Sequence, residues 1–172
     1  VEPDEKDIRS NMLLGRILGA ETHVVRSEPG QSEAQTEARC VEMGRAHALR
    51  LEQAGHRCYD VPLGGASHVG AAAFTQGYGE LMEQCQTLDV QPEYVFCGAG
   101  TGSTLAGMMA GRHLLADKAQ LVGITVSKKG PDYEDRLAKL CNKTLAWLGS
   151  DPGVSADDFT IDRGYFLPEY EQ

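Results

Sequence analysis

The stretch CGAGTGSTLAG, from Cys97 to Gly107, sets Gly98, Gly100 and Gly102 among small residues and adds the hydroxyls of Thr101, Ser103 and Thr104. It follows the apolar run Tyr94-Val95-Phe96 and leads into residues at helical spacing. The first N–H groups of a helix have no intrahelical acceptors, and they sit at the positive end of its dipole. Glycine lets such a backbone approach an anion closely, and hydroxyls supply further donors. The chemistry this favours is capture of a phosphate monoester. A bare strand-to-helix turn would use the glycines but has no need of three hydroxyls.

Two familiar phosphate loops fit badly. A Walker loop needs Gly-Lys-Ser/Thr, and no lysine occurs between Cys97 and Gly107. A dinucleotide GxGxxG begun at Gly98 puts Ser103 where the third glycine belongs. Its acidic ribose ligand is also missing, because Val126 leads into Ser127 and Lys128.

The elements that must hold this loop read as alternating strands and helices. Short strands are expected at Thr22–Val25, Cys58–Val61 and Tyr94–Cys97, and a nearly continuous apolar one at Leu121–Val126. Between them, Ala34, Ala38, Val41, Ala48 and Leu49 recur at helical spacing after a Ser32 N-cap, and Gly55 stops the pattern. Further helices are expected over roughly 70–88, from Ser103 through Leu115, and from Pro131 to Leu148, with Pro131 in the first turn. Strands separated by helices imply right-handed crossovers. The expected fold is one α/β domain over residues 1–172: an open, mostly parallel twisted sheet with helices on both faces, in three layers. Ligands then sit at the carboxyl ends of the strands, where the glycine loop lies.

Composition narrows the partners. A net charge of −9 argues against nucleic acid and anionic membranes, which both need a basic stripe. No apolar run is long enough to span a bilayer. The cysteines Cys40, Cys58, Cys85, Cys97 and Cys141 form no CxxC pair, which suits reduced thiols and a cytoplasmic setting. The histidines are scattered without an HExxH spacing, so no metal site is expected.

Several ordered stretches resemble pyridoxal-phosphate enzymes of the tryptophan-synthase-β fold (fold type II). The similarity is to the branch containing 1-aminocyclopropane-1-carboxylate deaminase and D-cysteine desulfhydrase. Residues 11–20 look like the family's helix leading to a Gly-Ala turn and strand, and Val61-Pro-Leu-Gly-Gly-Ala-Ser67 looks like its PxGGxS turn. Thr101–Thr104 with Ala106-Gly107 matches its phosphate loop, and Val122–Ser127 its next strand. Asp157-Asp158-Phe159, Asp162 and Pro168-Glu169-Tyr170 resemble a late segment whose tyrosine faces the cofactor.

The resemblance implies pyridoxal 5′-phosphate as cofactor. Thr101, Gly102, Ser103 and Thr104 would hold its phosphate, Ala99 and Gly100 would shape the approach, and Tyr170 would serve as the active-site tyrosine. It implies a small amino-acid substrate, broken down to ammonia and a 2-keto acid, and a homodimer or self-association through exposed apolar surface. The family's Schiff-base lysine stands in an early segment with no counterpart in these residues. The chain therefore reads as the central, cofactor-domain portion of a longer two-domain enzyme, with weak cofactor binding and negligible turnover alone. The alternative is a non-enzymatic module that binds a phosphorylated metabolite or a partner chain.

Overall fold

The computed structural model describes residues 10–125 and 127–165. They fall in two compact units, Val1–Asp60 and Val61–Gln172.

The first unit holds α1 (Ser10–Ile17) and α2 (Glu33–Gln53). Ser32 caps α2 as expected, in a reciprocal box: its hydroxyl accepts from Gln35 N–H, and the Gln35 side chain accepts from Ser32 N–H. No residue of α1 is buried, and Val41, Met43 and Leu49 of α2 are exposed.

Neither Thr22–Val25 nor Cys58–Val61 is a strand. β-Branched and aromatic residues favour extended backbone, but a strand exists only where a second backbone completes the ladder. Among the described residues no ladder forms at either stretch.

The second unit carries α3 (His68–Thr87), β1 (Tyr94–Ala99), α4 (Ser103–Leu114), β2 (Gln120–Thr125), α5 (Tyr133–Trp147) and β3 (Thr160–Asp162), with short 3₁₀ turns at Leu63–Gly65 and Ala156–Asp158. The three strands form a parallel sheet in the order β1-β2-β3. Tyr94 pairs with Gln120 through to Ala99 with Thr125, and Val122 to Ile124 pair with Thr160 to Asp162. The α/β class and parallel sheet are as the sequence predicts. β3 is not, being short and polar. α5 also starts later than expected: Pro131 lies outside it, and Asp132 is its N-cap residue.

One apolar cluster holds this unit together. α5 buries Tyr133, Leu137, Ala138, Cys141, Thr144 and Leu145, the spacing of a single helical face. Against it stand Leu105 and Met109 of α4, Leu121 of β2, and Phe159. Fully burying a leucine such as Leu137 contributes about 2 kcal/mol. Burial also pushes the Cys141 thiol up to about 12. Asn142 latches the following segment, accepting from Gly153 and Val154 N–H at 3.1 and 3.0 Å and donating to Val154 C=O at 2.7 Å.

α3 and α4 pack closely because their contact residues are small. Thr75 Oγ1 donates across to Gly107 C=O at 3.0 Å, and Tyr78, 1% exposed, donates to Asp117 Oδ1 at 2.8 Å. Burial first, then Asp117, keeps that phenol protonated beyond the ordinary tyrosine range. Tyr78→Phe should therefore cost about 1 kcal/mol in urea unfolding. The loss stays small because Asp117 Oδ1 keeps its bond from Ala119 N–H at 2.8 Å.

Candidate functional site

β1 alternates in burial, with Val95, Cys97 and Ala99 facing the core and Tyr94 and Phe96 exposed on the other side. It therefore ends with Ala99 fully buried, and the chain turns at Gly100–Gly102 into α4. Gly102 is the N-cap residue, at φ 96°, with no side-chain capping bond. Its carbonyl accepts from Ala106 N–H at 2.9 Å, so the helical ladder starts there. The N–H groups of Ser103, Thr104 and Leu105 are left without intrahelical acceptors.

The loop is braced from two sides. Tyr133, 1% exposed at the start of α5, donates its hydroxyl to Gly100 C=O at 3.0 Å. Burial is the main reason its phenol stays protonated above the usual range. From the other side, the Ser103 hydroxyl is directed to Gly65 C=O at 3.4 Å, in the turn that leads to α3. Ser103 is buried, Thr104 is half-buried and Thr101 is exposed. Of the three hydroxyls read from the sequence, Thr101 and Thr104 remain for a ligand, while Ser103 offers its N–H. The structure thus brings together Ala99, Gly100, Thr101, Gly102, Ser103 and Thr104 at the carboxyl end of β1. Tyr170 lies outside the described residues.

This donor set suits a phosphate monoester: N–H groups at a helix start, two hydroxyls, and glycines that leave room for close approach. Sequence reasoning missed Tyr133 and Ser127, whereas Lys128 and Lys129 follow a strand and are expected at this edge of the sheet, as solvated residues. Lys129 Nζ donates to Ser127 Oγ at 2.8 Å and lies 5.4 Å from the Tyr133 ring centroid. Tyr133 could have been suspected from its place early in the helix after β2, which puts it at the strands' carboxyl edge.

The model for pyridoxal-phosphate dependent enzymes matches residues 3–163. This chain belongs to that family. Among curated proteins it is 30% identical over 145 residues to a putative 1-aminocyclopropane-1-carboxylate deaminase of Pyrococcus furiosus, covering 84% of this chain and 42% of that protein. It is 32% identical over 123 residues to a D-cysteine desulfhydrase of Klebsiella pneumoniae, covering 72% and 36%. A crystal structure of an ACC deaminase homologue superposes with a TM-score of 0.75 at 25% identity, over 96% of this chain and 46% of that one. The likeness places the parallel sheet and its helices in the fold type II α/β/α class. The chain spans about two-fifths of the length of the curated relatives it matches.

Elsewhere, Glu21, His23 and His47 in the first unit bring one ligand atom each within 4.8 Å of one another, a convergence their spacing did not announce. His23 and Glu21 are exposed and pair at 2.9 Å, and the Arg50 guanidinium stands 3.3 Å from His47 Nδ1. A cation beside a ligand nitrogen opposes metal binding. Among the described residues no helix is long and apolar enough to cross a membrane.

Proposed function

We propose that this chain is the cofactor-domain portion of a cytoplasmic pyridoxal-phosphate enzyme that breaks down a small amino acid to ammonia and a 2-keto acid. The observation that carries the reading is the braced loop Ala99–Thr104 opening α4, within a chain that matches the family from residue 3 to residue 163. The relatives' printed names, for 1-aminocyclopropane-1-carboxylate and for D-cysteine, support a small amino acid as the substrate class.

When bound, the cofactor supplies an electron sink for the carbon bearing the amino group. The chain's own residues bind and orient. The N–H groups of Ser103, Thr104 and Leu105 and the hydroxyls of Thr101 and Thr104 would hold the phosphate. Tyr133 fixes the height of the loop through Gly100, and the Ser103–Gly65 contact ties it to the turn before α3. Cys97, whose thiol burial pushes up, faces the core and takes no part. Tyr170 is assigned the substrate-facing position on sequence likeness alone. Self-association belongs to the same reading: Leu114, Leu115, Trp147 and Leu148 leave apolar surface exposed in the second unit.

Equilibrium dialysis against pyridoxal 5′-phosphate tests this. Saturable binding that inorganic phosphate displaces is expected. Absence of binding, or tighter binding of NAD or ATP, would overturn the reading.

A further inference from the structure

The turn before α3 meets the phosphate loop at a second point besides Ser103. Gly64, inside the 3₁₀ turn Leu63–Gly65, has a left-handed backbone at φ 62°. A Cβ built on it would stand 2.7 Å from Thr101 Oγ1 and 2.8 Å from Thr101 Cγ2. Atoms of this kind settle at about 3.5 Å or more. Both branches of the Thr101 side chain therefore face the space that a side chain at position 64 would fill.

The turn is held from behind. The Gly65 carbonyl accepts from Ser67 N–H at 2.7 Å and faces the Ser103 hydroxyl at 3.4 Å. A Cβ on Gly70 would meet that same carbonyl oxygen, so the first turn of α3 closes the space on its far side. Thr101 is the movable partner. It is exposed, and among the described residues no hydrogen bond holds its hydroxyl. Rotation alone does not free it. Two of the three staggered positions on its Cβ face position 64, and a threonine fills two of the three, so every rotamer leaves a branch in the way. With a side chain at 64, the loop itself has to shift.

We propose that Gly64 is a positioning residue of the phosphate site and acts through Thr101. The empty space at position 64 seats the Thr101 side chain, and so sets where the Thr101 hydroxyl meets a phosphate monoester. The assignment rests on the reading above that the loop takes the phosphate. It adds to that loop a residue 37 positions earlier in the chain, in a different turn.

The test is a double-mutant cycle on the whole chain, read by calorimetric titration with pyridoxine 5′-phosphate beside urea unfolding. Thr101→Ala removes both branches and the hydroxyl, and should weaken binding about tenfold. Gly64→Ala should weaken it by about tenfold or more. The double variant should bind within about twofold of Thr101→Ala alone, because no branch is left to collide. Gly64→Asn should lose affinity like Gly64→Ala while tolerating the left-handed backbone better, so it serves if the alanine variant does not fold. Gly149, left-handed at φ 80° with nothing within 4 Å of its Cβ position, isolates backbone strain. Gly149→Ala should lose stability and keep its affinity within about twofold. Three results overturn the Gly64 assignment alone: Gly64 variants that bind like wild type, losses that multiply to about a hundredfold in the double variant, or an equal affinity loss in Gly149→Ala. Failure of wild type to bind pyridoxine 5′-phosphate overturns the loop reading beneath it as well.

Discussion

Replacing Gly107 with valine should cost about 2–4 kcal/mol of stability, because the space its side chain needs is occupied by the neighbouring helix. A Cβ built on Gly107 meets the Ala71 carbonyl oxygen and comes within 2.7 Å of Phe74 Cβ. Backbone cannot rotate aside as a long side chain can, so α3 and α4 must separate. Separation also strains the bond from Thr75 Oγ1 to Gly107 C=O, the polar tie across the crossing. Gly77 on α3 is the internal control, since a Cβ there meets nothing within 4 Å. Gly77→Ala should stabilise by roughly 0.5–1 kcal/mol, because the helix gains propensity and loses no packing. Urea unfolding of the two variants checks both signs at once. Equal effects would mean that the helix crossing does not govern the stability of this unit.

The consequence for the site runs through α3. Its first residues follow the turn whose Gly65 carbonyl meets Ser103, so widening the crossing at Gly107 withdraws one of the loop's two braces. Stability and ligand affinity should fall together in Gly107→Val. In a variant that removes only a ligand donor they should separate.

How much of this was legible in the sequence follows from the range of the interactions involved. The phosphate loop could be read because its ingredients are contiguous: an apolar strand, alternating glycines, hydroxyls and a helix start all fall between Tyr94 and Leu114. The Ser32 cap and the apolar face of α5 are equally local. Thr22–Val25 and Cys58–Val61 have the composition of strands, but their pairing is a non-local matter that composition cannot settle. β3 shows the converse. Thr160-Ile161-Asp162 has little strand character, and its place is set by pairing with Val122–Ile124 and by the Thr125 hydroxyl donating to Asp162 C=O at 3.1 Å. The loop's brace was hidden for the same reason, since Tyr133 lies 33 positions from Gly100.

Substituting Gly102 with alanine should remove phosphate binding and destabilise the chain together, because one residue meets two independent constraints. At φ 96° its backbone is left-handed, which costs an L side chain about 1–2 kcal/mol. A Cβ there would collide with Leu137 Cδ2 and stand 3.4 Å from the Tyr133 hydroxyl. Relieving that overlap costs a further 1–3 kcal/mol or so. Either response displaces the loop: α4 shifts away from α5, or Tyr133 lets go of Gly100. Affinity for pyridoxine 5′-phosphate should then drop by about a hundredfold or more. Thr101→Val gives the contrast. Thr101 is exposed, and losing its hydroxyl removes one donor to the phosphate at about 1–2 kcal/mol, roughly tenfold in affinity, with little change in unfolding. Calorimetric titration beside urea unfolding separates the two patterns. If Gly102→Ala binds as tightly as wild type, the phosphate does not sit on this loop, and the close approach at Gly102 serves only the packing of α4 on α5.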